Sequence, residues 1–289
     1  MKSKVKSVTR KTFKIRESGR SSDFITPSFG FGCLLNCSYC YMKRHLAEGL
    51  SYAKNTGDIL THINSHAMFT DVEKPNQTDS QYITYDIACN EDFALHSKYY
   101  NWRSIFDFFK DHPTAKATFA TKIVPSNFLE YNPKDKVRIR FSLMPQKMAN
   151  ILEPNASKIL DKINAINEFK KAGYDVHLNF SPVVVYKGWL EDYKELFSLV
   201  NKLTKEEFKS DVLSEVIFLT HNKNKHQYNL DNNISGEEYL WTPENQETKI
   251  SSYGGENIRY KRRLKKQYVE EFKTLHNSII PWNTIRYIF

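Results

Sequence analysis

Short apolar runs alternate along this chain with longer stretches of helical periodicity. Six runs rich in β-branched and aromatic residues, each bounded by turn or polar residues, predict β-strands. They are residues 23–29, 82–88, 117–121, 137–143, 174–180 and 215–220. Strands that alternate with helices favour βαβ units and a parallel sheet. Six strands are too few for a closed eight-stranded barrel but enough for a partial one, so we predict an α/β fold of that kind.

Two of the intervening helices are defined by their apolar faces. The first is predicted over residues 157–172 and ends before Gly173, at a position where a left-handed residue commonly terminates a helix. The second is predicted over about residues 191–203. The apolar residues at helical spacing are Ile159, Leu160, Ile163, Ile166 and Phe169 in the first helix, and Tyr193, Leu196, Phe197 and Val200 in the second.

In barrels of this kind the chemistry lies at the C-terminal ends of the strands. The residues that end or follow the six predicted strands are therefore candidates for the functional site. In strand order they are a cysteine-containing loop, Cys89, Lys122, Ser142, Ser181 and His221. We expect His221 to be a structural or substrate-side group rather than a metal ligand.

The loop after the first strand carries Cys33, Cys37 and Cys40 in the spacing C-x3-C-x2-C, and glycines open it. Thiolates are the usual ligands of iron–sulfur clusters. Three ligands for a four-iron cube leave one iron without a protein ligand. An open position of this kind is what a metal needs in order to bind and cleave a substrate, as at catalytic zinc. The loop therefore predicts a reactive iron–sulfur site.

A structural zinc site built from the same cysteines and His45 is the alternative. Structural zinc motifs usually pair C-x2-C knuckles, which this uneven spacing fits poorly, so the spacing favours the cluster. The basic N-terminus has no apolar segment of the kind that secretory signals carry. We therefore expect a cytoplasmic protein whose four cysteines are metal or catalytic thiols rather than disulfides. A mean hydropathy of −0.58 and the lack of a long apolar run exclude a transmembrane helix.

The net charge of +9 is concentrated in two stretches. Lysines and arginines crowd residues 1–22, which we treat as a basic N-terminal segment, while residues 23–289 form the barrel with a basic C-terminal extension. The basic residues of that extension are Arg259, Lys261, Arg262, Arg263, Lys265 and Lys266. Such clusters favour a polyanionic partner through release of counterions from phosphates, and a solvated basic face is the alternative.

The residue before the third cysteine of the loop is aromatic, Tyr39, which completes the pattern C-x3-C-x-aromatic-C. After a first β-strand, this pattern resembles the signature of the radical S-adenosylmethionine superfamily. Within it the chain resembles the spore photoproduct lyase family, from about Phe24 to the C-terminus. The segments that carry the resemblance are residues 37–41, 85–92, 120–122, 138–142, 153–154, 172–174, 188–189 and 253–289.

The resemblance implies a partial (β/α)6 TIM-type barrel and a [4Fe–4S] cluster held by Cys33, Cys37 and Cys40. It implies that S-adenosylmethionine binds at the open iron and is cleaved reductively to methionine and a 5′-deoxyadenosyl radical, which abstracts a hydrogen atom from the substrate. For this family the substrate is spore photoproduct, a thymine dimer of UV-damaged DNA that the lyase reverts to two thymines. An electron donor such as flavodoxin or ferredoxin is implied, and we expect a monomer without a membrane partner.

The resemblance also implies roles for single residues. Cys89 resembles the donor of the closing hydrogen atom, and Tyr39 and Tyr41 resemble the tyrosines that return the radical to S-adenosylmethionine. Lys122 and Ser142, together with Tyr39, resemble cofactor-binding residues, and a lysine suits the methionine carboxylate as a point charge. The plainer alternatives are a buried Cys89, packing tyrosines, a surface ion pair for Lys122 and a turn cap for Ser142.

Two other functions stay open. One is an enzyme of the same branch that acts on RNA or a small nucleotide, and the other is a nucleic-acid-binding module stabilised by a structural metal. The chain departs from the family pattern after Cys89, where Asn90, Glu91 and Asp92 stand in place of small hydroxyl residues. This departure puts some of the cofactor contacts in question.

Overall fold

The computed structural model describes residues 5–17, 21–42, 49–71, 74, 78–250 and 255–289. Its strands are β1 (Lys6–Val8), β2 (Phe24–Ile25), β3 (Gly30–Phe31), β4 (Ser51–Ala53), β5 (Ile83–Asp86), β6 (Ala115–Thr121), β7 (Val137–Ser142), β8 (Asp175–Val183), β9 (Ser214–Phe218), β10 (Thr220–His221), β11 (Gln246–Ile250), β12 (Glu256–Tyr260) and β13 (Ile285–Ile288). Its helices are α1 (Thr56–Phe69), α2 (Phe93–His96), α3 (Trp102–Asp111), α4 (Gln146–Leu152), α5 (Ile159–Lys171), α6 (Trp189–Leu203), α7 (Glu206–Lys209), α8 (Lys223–Asp231), α9 (Glu237–Leu240) and α10 (Arg262–Ile279), with 3₁₀ turns at Ser97–Tyr99 and Ser126–Phe128.

A seven-stranded sheet forms the centre of the molecule, in the order β13-β9-β8-β7-β6-β5-β2. Every pair of neighbouring strands in it runs parallel. The predicted partial barrel of mostly parallel strands is confirmed. The sheet has one strand more than predicted, because the end of the basic C-terminal extension returns to it as β13 after the crossover helix α10.

The first strand is shorter than its apolar run. Only Phe24 and Ile25 pair with β5, and the backbone N–H of Thr26 adds one further bond to the carbonyl of Asp86 at 3.1 Å. Pro27 follows and has no N–H to donate, so it cannot continue the ladder. The chain therefore leaves the sheet here and enters the cysteine loop through β3.

Helix α5 lies where the periodicity predicted it, and Gly173 after its end has a φ of 91°. The apolar face was predicted incorrectly at one residue: Leu160 is 48% exposed. Lys162 lies on the buried face of this helix instead and is 0% exposed. A lysine buried in this way requires partners, and these lie in the candidate site.

Charged side chains of the central sheet form a buried network of ion pairs. Arg140 lies 2.8 Å from Asp86 and 3.1 Å from Glu215. Arg286 of β13 lies 2.6 Å from Glu215 and 3.6 Å from Asp23, which directly precedes β2. Because β13 and β2 are the two edges of the open sheet, Arg286 joins these edges through buried ion pairs.

Two small sheets flank the central one. In the first, with the order β1-β4-β3, strand β1 of the N-terminal segment pairs parallel with β4. In the second, with the order β10-β12-β11, antiparallel pairs join β12 to both neighbours. The division of the chain at residue 22 stays a prediction. Among the described helices, none combines the length and the hydropathy required of a membrane span.

Candidate active site

The cysteine loop lies at the C-terminal edge of the central sheet, as predicted. Cys33, Cys37 and Cys40 are not in disulfides, and Cys37 is buried while the other two are half-buried. Positive φ angles at Gly32 (93°) and Asn36 (57°) curl the backbone around the thiols. The charge of Cys40 acts to raise the pKa of both Cys33 and Cys37, and that of Cys33 acts to raise the pKa of Cys37, so the three thiols lie close together. The loop therefore presents three sulfur ligands to one region.

Glu91 supports this loop from inside the protein. Its carboxylate lies 3.1 Å from Nδ1 of His96 and 3.2 Å from the hydroxyl of Tyr100. A Cβ atom added to Gly30 would lie only 1.9 Å from Oε2 of Glu91, so glycine is required for this close approach. Glu91, which stands where the family pattern has a small hydroxyl residue, therefore places a buried carboxylate beneath the loop and away from solvent.

Burial raises the pKa of the Cys33 thiol to about 12, and the charge of Asp92 adds to this effect. Burial and the charge of Glu153 likewise raise the pKa of Cys37. A bound metal ion reverses this preference for the protonated thiol, because a thiol that coordinates a metal ion is deprotonated. Three thiols free of disulfides, with Lys122 nearby, are a donor set that fits an iron–sulfur cluster. The zinc alternative depends on His45, which lies outside the described residues.

Lys122, Tyr39 and Ser142 are brought together through Glu153, which is 4% exposed. The hydroxyl of Tyr39 donates to Oε1 of Glu153, and Nζ of Lys122 lies 3.8 Å from the same oxygen. Nζ of Lys162 lies 3.7 Å from Oε2 and donates to the carbonyl of Ser142 at 2.6 Å. Glu153 therefore contacts Tyr39 and Lys122 directly, and it is linked to the backbone carbonyl of Ser142 only through Lys162.

The electrostatics of this group hold Lys122 in its charged form. Burial alone would lower the pKa of Lys122, but Glu153 and the neighbouring cysteines raise it above its ordinary value. Burial lowers the pKa of Lys162, with Glu153 acting in the opposite direction. Lys122 is thus a cation beside the cysteine loop, as binding of a carboxylate ligand requires.

Cys89 and Tyr41 are also neighbours. The hydroxyl of Tyr41 donates to the carbonyl oxygen of Cys89 at 2.8 Å and to Oδ1 of Asn90 at 3.2 Å. Burial raises the pKa of Cys89 to about 11, while the Tyr41 hydroxyl and the cation of Arg16 act to lower it. Cys89 is therefore a protonated thiol, half-buried, next to a phenol.

Three further residues of this site were not predicted from the sequence: Asp92, Glu153 and Lys162. Asp92 accepts hydrogen bonds from the Thr121 hydroxyl at 2.9 Å and from the backbone N–H of Lys122 at 2.9 Å, so it fixes the end of β6. Lys162 could have been noticed in the sequence, because it lies on the apolar face of a predicted helix. A lysine buried there requires an acidic partner. No comparable local signal marks Asp92 or Glu153.

Comparison with known proteins identifies the family. The family model for spore photoproduct lyase matches residues 1–289. Spore photoproduct lyase of Bacillus subtilis (strain 168) is 24% identical over 211 residues, which are 72% of this chain and 59% of the relative. The protein of that name from Clostridium acetobutylicum is 26% identical over 200 residues, which are 67% of this chain and 56% of the relative. The matched region therefore spans less than two thirds of the length of these relatives.

Solved structures agree on the fold. A structure of spore photoproduct lyase complexed with dinucleoside spore photoproduct matches with a TM-score of 0.85 and 20% identity, covering 99% of this chain and 82% of that one. A double mutant of spore photoproduct lyase with bound AdoMet and dinucleoside spore photoproduct matches with a TM-score of 0.86 and 19% identity, at the same coverage. The family model extends over every element described above, and the chain belongs to the spore photoproduct lyase family.

Proposed function

We propose that this chain is a radical S-adenosylmethionine lyase that reverts spore photoproduct in DNA to two thymines. The observation that carries the proposal is the meeting of two groups at one edge of the sheet. The first is the three-cysteine loop with Lys122, and the second is the pair of Cys89 and Tyr41, whose hydrogen bond is 2.8 Å long. Family membership and the ligands named for the related structures support the same reaction.

Cys33, Cys37 and Cys40 would hold a [4Fe–4S] cluster, and Lys122 would bind the carboxylate of S-adenosylmethionine. When bound, the cluster supplies the electron that cleaves S-adenosylmethionine to methionine and a 5′-deoxyadenosyl radical. Glu153 holds the Lys122 ammonium and the Tyr39 hydroxyl in place, and Lys162 ties the same carboxylate to the carbonyl of Ser142. These residues orient the cofactor and keep the site dry.

Cys89 would donate a hydrogen atom to the thymine radical that remains when the photoproduct opens. Its thiol is protonated at neutral pH because burial raises its pKa to about 11, and a protonated thiol is the form that can donate. Tyr41, which bonds to the Cys89 carbonyl, is placed to return a hydrogen atom to the cysteine. Tyr39, one residue before Cys40, would continue this transfer toward the cofactor.

The partners are part of the proposal. The lesion would be extruded from the duplex, which costs less at a damaged step. The basic C-terminal extension would contact the backbone without reading sequence. We further propose a cytoplasmic monomer that receives electrons from a flavodoxin or ferredoxin.

The test is a reaction of the anaerobically reconstituted protein with dithionite, S-adenosylmethionine and dinucleoside spore photoproduct. We expect 5′-deoxyadenosine and the repaired thymine dinucleotide, quantified by liquid chromatography and mass spectrometry. The Cys37→Ala variant should form neither product, because it loses one of three cluster ligands. Cleavage of S-adenosylmethionine without repair would contradict the substrate, and parallel reactions with RNA dinucleotides would then test the alternative.

A further inference from the structure

A second group of ligand-type side chains lies away from the cysteine loop. His221 of β10, His226 of α8 and Glu237 of α9 each direct one ligand atom to a common point, and these atoms lie within 4.8 Å of one another. Nε2 of His221 is 2.9 Å from Oε1 of Glu237, and Nδ1 of His226 is 2.5 Å from the same oxygen. Three different elements thus converge at one carboxylate oxygen.

Neighbouring side chains hold Glu237 and His226 in place. The second oxygen of Glu237 accepts a hydrogen bond from Asn229, and the ring of His226 stacks on Trp241 with centroids 4.0 Å apart at 11°. Both carboxylate oxygens of Glu237 thus have close polar partners, His221 and His226 at one oxygen and Asn229 at the other. Metal sites require this kind of outer support to orient their ligands.

A close approach of the backbone also builds the group. Gly236 precedes α9 with a φ of 87°, and a Cβ atom there would lie 2.5 Å from Cδ2 of Leu152. Glycine is therefore needed both for the left-handed conformation and for the contact with α4. This contact places Glu237, which is 6% exposed, directly at His221, which is 2% exposed.

We propose that His221, His226 and Glu237 bind a divalent transition-metal ion of the zinc class. Two imidazoles and one carboxylate are an established ligand set for zinc, with a fourth position left for water. That position would open on the side of His226, whose side chain is 23% exposed while those of His221 and Glu237 are 0% and 8% exposed. The sequence predicted His221 to be a structural or substrate-side group rather than a metal ligand, and only the fold brings Glu237 beside it.

The ion would also brace the cysteine loop. Helix α8, which carries His226, also donates from Lys225 to the carbonyl of Cys40 at 2.5 Å and from Asn229 to the carbonyl of Ser38 at 3.0 Å. A metal at His226 would fix this helix against β10 and α9, and would thereby hold the loop that carries the cluster ligands. The site is independent of the substrate that the enzyme acts on.

The test measures metal binding in the full chain with all four cysteines replaced by alanine, so that the cysteine loop cannot bind the probe. Titration with Co²⁺ under argon should give the visible absorption of tetrahedral cobalt at a single ion per chain, and Zn²⁺ should displace it. The variants His226→Ala and Glu237→Gln should lose this absorption, and Asn229→Ala should bind about 10- to 100-fold more weakly. The matched control His62→Ala, at an exposed histidine of α1, should bind as the parent does.

A second measurement does not depend on the folding of the cysteine-free chain. The cluster-loaded wild-type protein, incubated with Zn²⁺ and desalted, should retain one zinc ion in addition to its iron, and the His226→Ala protein should retain none. Absence of a retained zinc ion in the wild-type protein would overturn the proposal. Equal zinc retention by the wild-type, His226→Ala and Glu237→Gln proteins would also overturn it, and would leave the three side chains as a hydrogen-bonded group only.

Discussion

The hydroxyl of Tyr41 donates to the backbone carbonyl of Cys89 at 2.8 Å, so this bond survives replacement of the thiol. We therefore expect Cys89→Ala to assemble a cluster, consume S-adenosylmethionine and open the photoproduct. Without the thiol, the thymine radical loses its hydrogen donor and is quenched by reductant or solvent species. Mass spectrometry should detect adducts in place of clean thymine dinucleotide.

Two results would remove Cys89 from this role. Clean repair at the wild-type rate would show that the hydrogen atom comes from elsewhere, and failure to assemble the cluster would make Cys89 a fourth ligand and leave no open iron. Tyr41→Phe is the matched variant, because it keeps the thiol and removes only the hydroxyl. It should yield clean product in the first turnover and lose activity in later ones.

Glu153 is the residue whose removal should be most costly in the candidate site. Its carboxylate faces two ammonium groups, that of the half-buried Lys122 at 3.8 Å and that of the fully buried Lys162 at 3.7 Å. Glu153→Gln removes the nearest counter-charge of Lys162, and breaking a buried pair in this way costs about 3–5 kcal/mol. Urea denaturation of the cluster-free protein, with and without the substitution, measures the loss.

The matched control for Glu153 is the double variant Glu153→Gln/Lys162→Met. Lys162 is 0% exposed, so methionine removes its charge while it keeps most of the side-chain volume. The double variant should be more stable than Glu153→Gln alone. If the two are equally stable, the cost at Glu153 does not come from the unpaired lysine.

At the scale of elements, helix α10 begins with an unusual charge distribution. Its first turn contains no acidic residue and begins with Arg262 and Arg263, which are exposed. Cations at a helix N-terminus are disfavoured by the helix dipole, so these arginines reduce the stability of the helix. Arg259, by contrast, is bonded to Glu247 at 2.9 Å and is already paired. The first turn of α10 is therefore the better test of DNA binding.

The double variant Arg262→Glu/Arg263→Glu should bind duplex DNA more weakly and with a smaller salt dependence. Each lost phosphate contact should lower the slope of log K against log salt by about 0.9. Acidic residues at this end of the helix should leave the fold intact or stabilise it. Fluorescence anisotropy between low and moderate salt gives the slope, and an unchanged slope would assign these arginines to a solvated face.

The sequence predicted most of the sheet because each buried strand has its own apolar run. Strand β13 was not predicted because Ile285–Ile288 is short and half-buried. Its partner β9 also lies far before it in the sequence, so only the fold brings the two strands together. The cysteine loop could be recognised from its local spacing, and Cys89 because it follows a predicted strand. Glu153 could not, since its partners Tyr39 and Lys122 lie far away in sequence and only the fold brings them to it.

At the scale of the whole molecule, buried ion pairs join the two edges of the open sheet. Arg286 connects Asp23 beside β2 with Glu215 of β9, and it also lies 3.2 Å from Nδ1 of His177. The pKa values of Asp23 and Glu215 lie below their ordinary range because, despite burial, the surrounding arginines favour the carboxylates. Their contribution to stability is therefore complete above about pH 5 and is lost only as the pH falls below about 4.

His177 makes this network sensitive to acid at higher pH. Burial lowers its pKa to about 4, and the charges of Arg138 and Arg286 add to this effect although Asp175 opposes it. In the unfolded chain a histidine has a pKa of about 6.5, so between about pH 6.5 and pH 4 the unfolded state binds a proton that the folded state does not. The free energy of unfolding should therefore decrease as the pH is lowered from 7 to 5, where Asp23 and Glu215 are still ionised.

His177→Gln keeps a polar side chain and removes the titration, so its urea midpoint should change less than that of the wild-type protein over this interval. Equal changes in the two proteins would show that His177 does not carry the acid sensitivity.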